Sequence, residues 1–416
     1  MRNIEHLSVL ILSTYSFAKP RHGGQVRLAN IVKSYEAMGW LVSSVAVCES
    51  NSSASVGADL GPHDFYFPNE APYDLVNGKK IPFAKDYLSG RYAASEGVGF
   101  KRLCKNLPSR IDVIQVEQPW MWPAACAIRQ LPQYANALLV YSSHNIEAPL
   151  KRAILDSYQV ADADDFVREI EQLERAICAQ ADLCLAVTSA DLEVLKSYGA
   201  TEVILAKNGI APWFALPERV DYWRARLPSA PWLLYVASAH PPNFTGFTDC
   251  VGEALGAIPP DSRLVVAGSV GPHLQAVLEK TRWGKLNTSR LLVLGEVSDL
   301  DLAAIKHLAH AFLLPIEQGG GSNIKTAEAL FSGAYVIATP AALRGFEDLM
   351  SLPEVFTARS PQEFQAAIQA VLCQPASPTH NVKPALGSLR FGLQWSQCLS
   401  HMPKAVQVLM AKRQAS

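Results

Sequence analysis

A chain of 416 residues, 49% of them hydrophobic, has ample apolar side chain for a core and is too long for one ordinary domain. A formal net charge of -1 excludes a global field that draws nucleic acid, so a phosphate-bearing ligand must be held by local groups. The eight cysteines form no C-x-x-C pair and no zinc-type spacing with histidine, which suits free thiols in a reducing, cytoplasmic compartment.

The N-terminal apolar run Leu7 to Leu12 lacks a basic start and is too short for a signal peptide. No stretch approaches the ~18 apolar residues of a membrane span. Leu7 to Ser13 reads as a buried parallel strand. The loop Tyr15 to Gly24 follows, and a helix begins at Gln25, with Leu28, Ile31, Val32 and Tyr35 on one face and Gly39 after its end. Val42 to Val47 reads as the next strand. Residues 50 to 100, rich in Ser, Gly, Pro and aromatics, give no clear period. Strands return at Ile111 to Val116, Leu138 to Ser142, Leu183 to Val187 and Val203 to Ala206. Helices are expected over Ala163 to Gln180 and from an N-cap at Ser189 to Tyr198.

Four prolines between 211 and 231 mark the domain boundary. The second half alternates again. Strands are expected at Leu233 to Ala237, Leu264 to Ala267, Leu291 to Leu294, Ala311 to Leu314 and Tyr335 to Ala338. Helices are expected from Thr245, from Pro272, over Leu300 to His307 and over Asn323 to Ser332. This βαβα order predicts an α/β protein with two Rossmann-like, doubly wound parallel sheets. The expected domains are 1–210, a linker 211–231, a second domain 232–388, and a tail 389–416 that packs back across the domains.

Ligands of doubly wound sheets bind beyond the carboxyl ends of the strands. The segment Pro315 to Glu328 is the best such place. Its glycines, Gly319, Gly320 and Gly321, allow close backbone approach, and Ser322 is read as the cap of a helix beginning at Asn323. Lys325 puts a full positive charge in a first turn, where the helix dipole disfavours it, which suggests an anion nearby. Glu328, at i+3, can accept two ribose hydroxyls. The bland alternative is a glycine-rich connection with a Lys–Glu surface pair.

Several segments together resemble a GT-B-fold glycosyltransferase of glycosyltransferase family 4, in the bacterial cell-surface polysaccharide branch. They are His22-Gly23-Gly24, Ser143-His144-Asn145-Ile146-Glu147, Thr188-Ser189-Ala190-Asp191, Lys207-Asn208-Gly209-Ile210, the Pro315 to Glu328 stretch, Thr339-Pro340 and Gly345. The likeness spans roughly residues 5 to 350. It implies two domains facing a cleft, the first for the acceptor and the second for the nucleotide sugar. It also implies retaining transfer from a nucleotide-diphosphate sugar to a glycan or lipid-linked acceptor, with no cofactor.

The resemblance makes His144 a cleft histidine with a catalytic role and Lys325 the cation on the leaving diphosphate. It assigns Gly23, Gly24, Gly320, Gly321, Ser322, Asn323, Lys325 and Glu328 to the donor. His240 and Asn243 follow the first strand of the second half and are read as donor contacts or as a mere helix start. His22 and Glu117 are read as acceptor contacts, against a loop role and a strand-end charge. Two departures from the family pattern stand out. The first glutamate of the usual pair is Gly320 here, and the Arg/Lys pair after the first strand of the second domain is replaced by Ala237-Ser238-Ala239-His240-Pro241-Pro242-Asn243.

No Asp-x-Asp follows a strand, and the acidic run from Asp162 to Asp165 reads as solvated surface, so metal-independent transfer is expected. Trp120-Met121-Trp122 and Lys101 to Lys105 are either a peripheral contact at the inner face of the membrane or core aromatics and solvated charge. Two rivals are a catalytically inactive GT-B module that binds sugar nucleotide or glycan, and a dinucleotide oxidoreductase. The second lacks a G-x-G-x-x-G after the first strand.

Overall fold

The computed structural model describes residues 6–49, 60–95, 97–161 and 163–415. The chain divides into two compact units: unit 1 comprises Met1–Lys207 and Cys398–Ser416, and unit 2 comprises Asn208–Gln397.

Unit 1 runs β1 (Ser8–Ser13), α1 (Gly23–Glu36), β2 (Leu41–Cys48), β3 (Phe65–Tyr66), α2 (Lys85–Ala94), α3 (Val98–Cys104), β4 (Val113–Glu117), α4 (Trp122–Arg129), β5 (Leu138–Ser142), α5 (Glu147–Ser157), α6 (Asp164–Gln180), β6 (Leu183–Ala186), α7 (Ser189–Ser197) and β7 (Val203–Leu205). Its seven strands pair in the order β3-β2-β1-β4-β5-β6-β7, all parallel. β1, β4 and β5 are buried at every residue, which is why their sequences are apolar runs rather than alternations.

Unit 2 runs α8 (Pro217–Arg224), β8 (Trp232–Val236), α9 (Pro241–Val251), β9 (Arg263–Ala267), α10 (Val270–Lys280), α11 (Gly284–Arg290), β10 (Leu291–Gly295), α12 (Asp299–Leu308), β11 (Ala311–Leu314), α13 (Ile324–Ser332), β12 (Tyr335–Ala338), β13 (Val355–Thr357) and α14 (Pro361–Leu372). Its sheet order is β10-β9-β8-β11-β12-β13, again all parallel. The two-residue period of a strand divides its side chains between two faces. Leu233, Tyr235, Leu264 and Val266 enter one core, and Trp232, Leu234, Val265 and Phe312 enter the other. Short α15 (Trp395–Cys398) and α16 (His401–Ala415) end the chain. Two Rossmann-like parallel sheets are therefore present.

Several expectations are corrected. The stretch 211–231 is not a bare linker. It carries α8, whose Arg219 and Trp223 both bond Asp301 of α12, the indole Nε1 at 2.8 Å. Residues 389–397 are part of unit 2, because Ile210 N–H donates to Leu393 O at 2.8 Å and Trp395 N–H to Ile210 O at 3.1 Å. Of the tail, Cys398–Ser416, which holds α16, belongs to unit 1. The helix after β6 is capped by Thr188, whose Oγ1 accepts from Asp191 N–H at 3.0 Å, not by Ser189.

Trp120, Met121 and Trp122 are core residues, buried to within 3% exposure, so they offer nothing to a membrane. Lys101, Arg102 and Lys105 are exposed. Asp162 and, in the irregular stretch, residues 50–59 and 96 lie outside the described residues, while Asp164 and Asp165 are exposed in the first turn of α6. All eight cysteines are free, though only Cys48, Cys178, Cys184 and Cys250 are buried. Among the described residues no helix is long and apolar enough to cross a membrane.

Candidate functional site

In unit 2, β11 ends at Leu314 and the chain turns through the glycine loop into α13. Gly319 and Gly321 have φ of +133° and +55°, so two of the three glycines are demanded by the backbone itself. The helix begins one residue later than the sequence suggests. Asn323 is the cap residue, extended at φ -94° and ψ 125°, and its carbonyl accepts from Thr326 N–H at 3.0 Å. Ser322 is thereby displaced to the preceding position. Its Oγ is buried and has no hydrogen-bond partner among the described residues. Its carbonyl accepts from Asn208 Nδ2 at 3.0 Å.

The loop is fixed from behind. Thr339 Oγ1 donates to Ile316 O, and Arg344 Nε donates to Gly321 O at 2.6 Å. From the side, α9 approaches so closely that a Cβ on Gly246 would lie 2.3 Å from Pro315 O. The segment after β8 is a helix start: His240 is the cap residue of α9, with its side chain exposed, and Asn243 lies in the first turn. Asn243 nonetheless reaches the loop. Its Nδ2 donates to Ser238 O at 3.0 Å and its Oδ1 accepts from Lys325 Nζ at 3.0 Å.

Burial pulls the Lys325 ammonium below the usual lysine range, and Glu328 pulls the other way. Glu328 does not pair with it. Its Oε2 lies 2.7 Å from Nζ of Lys306, a buried lysine on α12. Unit 2 thus gathers Asn243, Gly320, Gly321, Ser322, Asn323, Lys325 and Glu328 around one strand-to-helix turn. Arg344 and Lys306 are cations that the sequence reading missed. Arg344 falls between two motifs already noted, Thr339-Pro340 and Gly345. Nothing local marks Lys306, since α12 is otherwise an ordinary amphipathic helix.

In unit 1, His22, Gly23 and Gly24 lie together at the start of α1. They are the cap and first turn of α1, and Gln25 Oε1 accepts from the backbone of Arg21 at 2.7 Å and of His22 at 3.3 Å. Gly24 makes room for Tyr15, whose hydroxyl would sit 2.5 Å from an added Cβ. That hydroxyl lies 3.3 Å from His144 Nδ1, and its ring meets His22 edge-on at 5.1 Å. His144 Nε2 bonds Glu117 Oε2 at 2.7 Å. Glu117 Oε1 accepts from Gln115 Nε2 at 2.5 Å, and Gln115 Oε1 accepts from Tyr35.

Glu117 is fully buried. It is therefore not the exposed strand-end charge of the alternative reading, and its carboxylate is engaged by His144 and Gln115. Burial lowers the His144 basicity against the pull of Glu117. Burial raises the Glu117 carboxyl, but His144, Arg27 and Gln115 outweigh it and hold the group below its ordinary range. Tyr15 therefore donates to Nδ1, and Nε2–H donates to Glu117. Beside them, Gln118 takes a left-handed φ of 63°, rare for a side chain of this kind and typical of constrained sites. Its Nε2 and Asn145 Nδ2 both donate to Glu147 Oε1, at 3.5 and 3.2 Å. Burial pushes the Glu147 carboxyl up to about 7, with Lys151 opposing. Among the described residues no group of three or more His, Cys, Asp or Glu side chains is placed to hold a metal ion.

Residues 230–374 match the family model described as Glycosyl transferases group 1, a span that contains every residue named above around the unit 2 turn except Asn208. No curated protein matches the chain by sequence. Solved structures match over nearly its whole length. Sucrose-phosphate synthase from Thermosynechococcus elongatus is 17% identical, covers 98% of this chain and 97% of its own, and has a TM-score of 0.64. The catalytic domain of starch synthase IV from Arabidopsis thaliana, bound to ADP and acarbose, is 12% identical over 99% of both chains, with a TM-score of 0.60. HepE of Anabaena in complex with UDP is 15% identical over 98% of this chain and 99% of its own, with a TM-score of 0.57. The chain thus has the GT-B fold of two Rossmann-like units, and the second contains the stretch that matches the glycosyl transferases group 1 model.

Proposed function

We propose that this protein is a retaining glycosyltransferase of family 4 type. In this reading it moves a sugar from a nucleotide-diphosphate donor to a glycan or lipid-linked acceptor in cell-surface polysaccharide synthesis, at the cytoplasmic side. The observation that carries the reading is Lys325: a desolvated cation at a helix start, hydrogen-bonded to the neutral amide of Asn243, beside a glycine loop whose buried Ser322 Oγ has no hydrogen-bond partner among the described residues. Such an arrangement is built for an anion. The diphosphate lies against Gly320, Gly321, Ser322 and Asn323, with Lys325 and Arg344 supplying charge, and Glu328 accepts from the ribose. Asn243 holds Lys325 in place, and His240 stands at the start of α9.

Charge on the diphosphate grows as the glycosidic bond breaks, so these preorganised donors stabilise the transition state more than the ground state. The leaving phosphate then takes the acceptor proton, with no protein nucleophile. His22, Tyr15 and His144 serve the acceptor from unit 1, with Glu117 fixing the imidazole. Because the cations come from side chains, transfer proceeds without a divalent ion.

The test is a calorimetric screen of nucleoside diphosphates and nucleotide sugars, followed by release of the nucleoside diphosphate with and without excess EDTA. Saturable binding with EDTA-resistant turnover is expected. Absence of any nucleotide binding would remove the reading. Binding without turnover, on any acceptor and in donor hydrolysis, would leave a sugar-nucleotide-binding module. Turnover that EDTA abolishes and Mg²⁺ restores would remove only the metal-independent part.

A further inference from the structure

Glu328 stands between two lysines, and the structure gives it to the less obvious one. Lys325 is one turn earlier on the same helix, at a spacing that permits a pair. Yet Lys325 bonds Asn243, and Glu328 Oε2 bonds Lys306 Nζ at 2.7 Å. The Lys306 side chain is 7% exposed and Glu328 28% exposed, so the cation is buried beneath a carboxylate that still faces outward. The Lys306 ammonium also lies 5.4 Å over the Trp213 ring, which packs edge-on against Phe331 of α13. Removing one partner of such a pair leaves an uncompensated buried charge, which is why the geometry persists.

We propose that Lys306 is a positioning residue for nucleotide recognition: it fixes the Glu328 carboxylate for the ribose and keeps it off Lys325. The proposal rests on the reading of Glu328 as the ribose ligand. A free glutamate head rotates in a broad, two-fold well. With Oε2 tied to Lys306, Oε1 and the remaining lone pairs point to a fixed place, which suits two adjacent hydroxyls. With Glu328 so engaged, the Lys325 charge stays available to phosphate. One buried lysine therefore separates the two halves of the nucleotide site, a carboxylate for ribose and an ammonium for diphosphate.

The experiment measures affinity for UDP and ADP and for their 2′-deoxy and 3′-deoxy forms in the full chain. Wild type, Glu328→Gln, Lys306→Met, Lys306→Gln and Lys306→Arg are compared, with donor KM and kcat alongside. Wild type should prefer the ribonucleotide by at least about tenfold, as lost hydrogen bonds to a charged group cost ~1.5–3 kcal/mol. Lys306→Met should bring that ratio toward one and raise KM, and it should also lower kcat, because the freed Glu328 can then pair with Lys325. Lys306→Arg should recover part of the ratio. Lys306→Gln keeps a donor at the site and replaces the methionine variant should that one fail to fold. A merely structural lysine would lower the melting temperature without moving the ratio. If Glu328→Gln collapses the ratio while the folded Lys306 variants keep it, Lys306 has no positioning role. If Glu328→Gln itself leaves the ratio unchanged, the ribose reading of Glu328 fails, and the role of Lys306 falls with it.

Discussion

Burial acts on Lys325 and Glu147 by one rule with two outcomes, since it disfavours whichever form carries charge. Lys325 is pulled below the usual lysine range, so on the alkaline side it loses its proton earlier than a free lysine. A bound diphosphate restores the ammonium. Nucleotide binding above neutrality should therefore take up protons, seen as a dependence of the calorimetric heat on buffer ionisation enthalpy. Lys325→Ala should abolish that uptake and lower kcat/KM by about 10²–10³-fold, and Lys325→Arg should rescue in part. Near-wild-type kcat/KM in the alanine variant would leave the phosphate to Arg344. For Glu147 the sign is opposite. Its folded carboxyl titrates at about 7, above the unfolded value near 4.5. The folded state then binds more protons than the unfolded state between those values, and stability falls as pH rises through that window. Glu147→Gln should flatten this part of the profile in urea denaturation. A wild-type and variant difference that stays constant from pH 4.5 to 7.5 would contradict it.

At the level of elements, the glycine loop owes its shape to its neighbours as much as to its own residues. Gly246 lets α9 lie against Pro315, and a Cβ at 2.3 Å from a backbone oxygen has no flexible side chain to push aside. Gly246→Ala should cost about 1–3 kcal/mol of stability and weaken nucleoside diphosphate binding, measured by denaturation and calorimetry. Unchanged affinity would mean the loop tolerates the shift. The same point explains what sequence alone makes legible. β1, β5, β11 and β12 are short apolar runs, and the runs themselves locate them to within a residue. So is the turn after β11, because Gly319 to Lys325 is local. α2 and α8 escape, the one in an irregular stretch and the other among prolines that read as breakers. The partners of the site escape for a different reason. Tyr15 with His144, Lys306 with Glu328, and Arg344 with Gly321 each join separate elements, and only the fold brings them together. Glu117 is the instructive case: its place at a strand end is readable, but its full burial and its bond to His144 are not.

At the scale of the molecule, the chain order and the order of units differ. Unit 2 is a continuous span, whereas unit 1 is completed by the last helix of the chain. α16 buries Met402, Val406 and Met410, and its Arg413 donates to Ala137 O at 3.2 Å and pairs with Asp182 at 3.2 Å, at the starts of β5 and β6. Burying one such apolar side chain stabilises by about 1.5–3 kcal/mol, so deleting residues 398–416 should cost unit 1 several kcal/mol. Unit 2 keeps β8 to β13, the glycine loop, Lys325, Glu328 and Lys306 in the truncated chain. Calorimetric melting should then show one transition lowered and the other kept. A nucleoside diphosphate at ~100 Kd should raise only the second, by ~2.7 kcal/mol, as it does in the full chain. If truncation instead removes nucleotide affinity while the second transition persists, the donor site draws on unit 1, and the assignment of ribose and phosphate to one unit is wrong. A single merged transition in both chains would mean that the units unfold together, and the loss from truncation would then appear in the whole molecule.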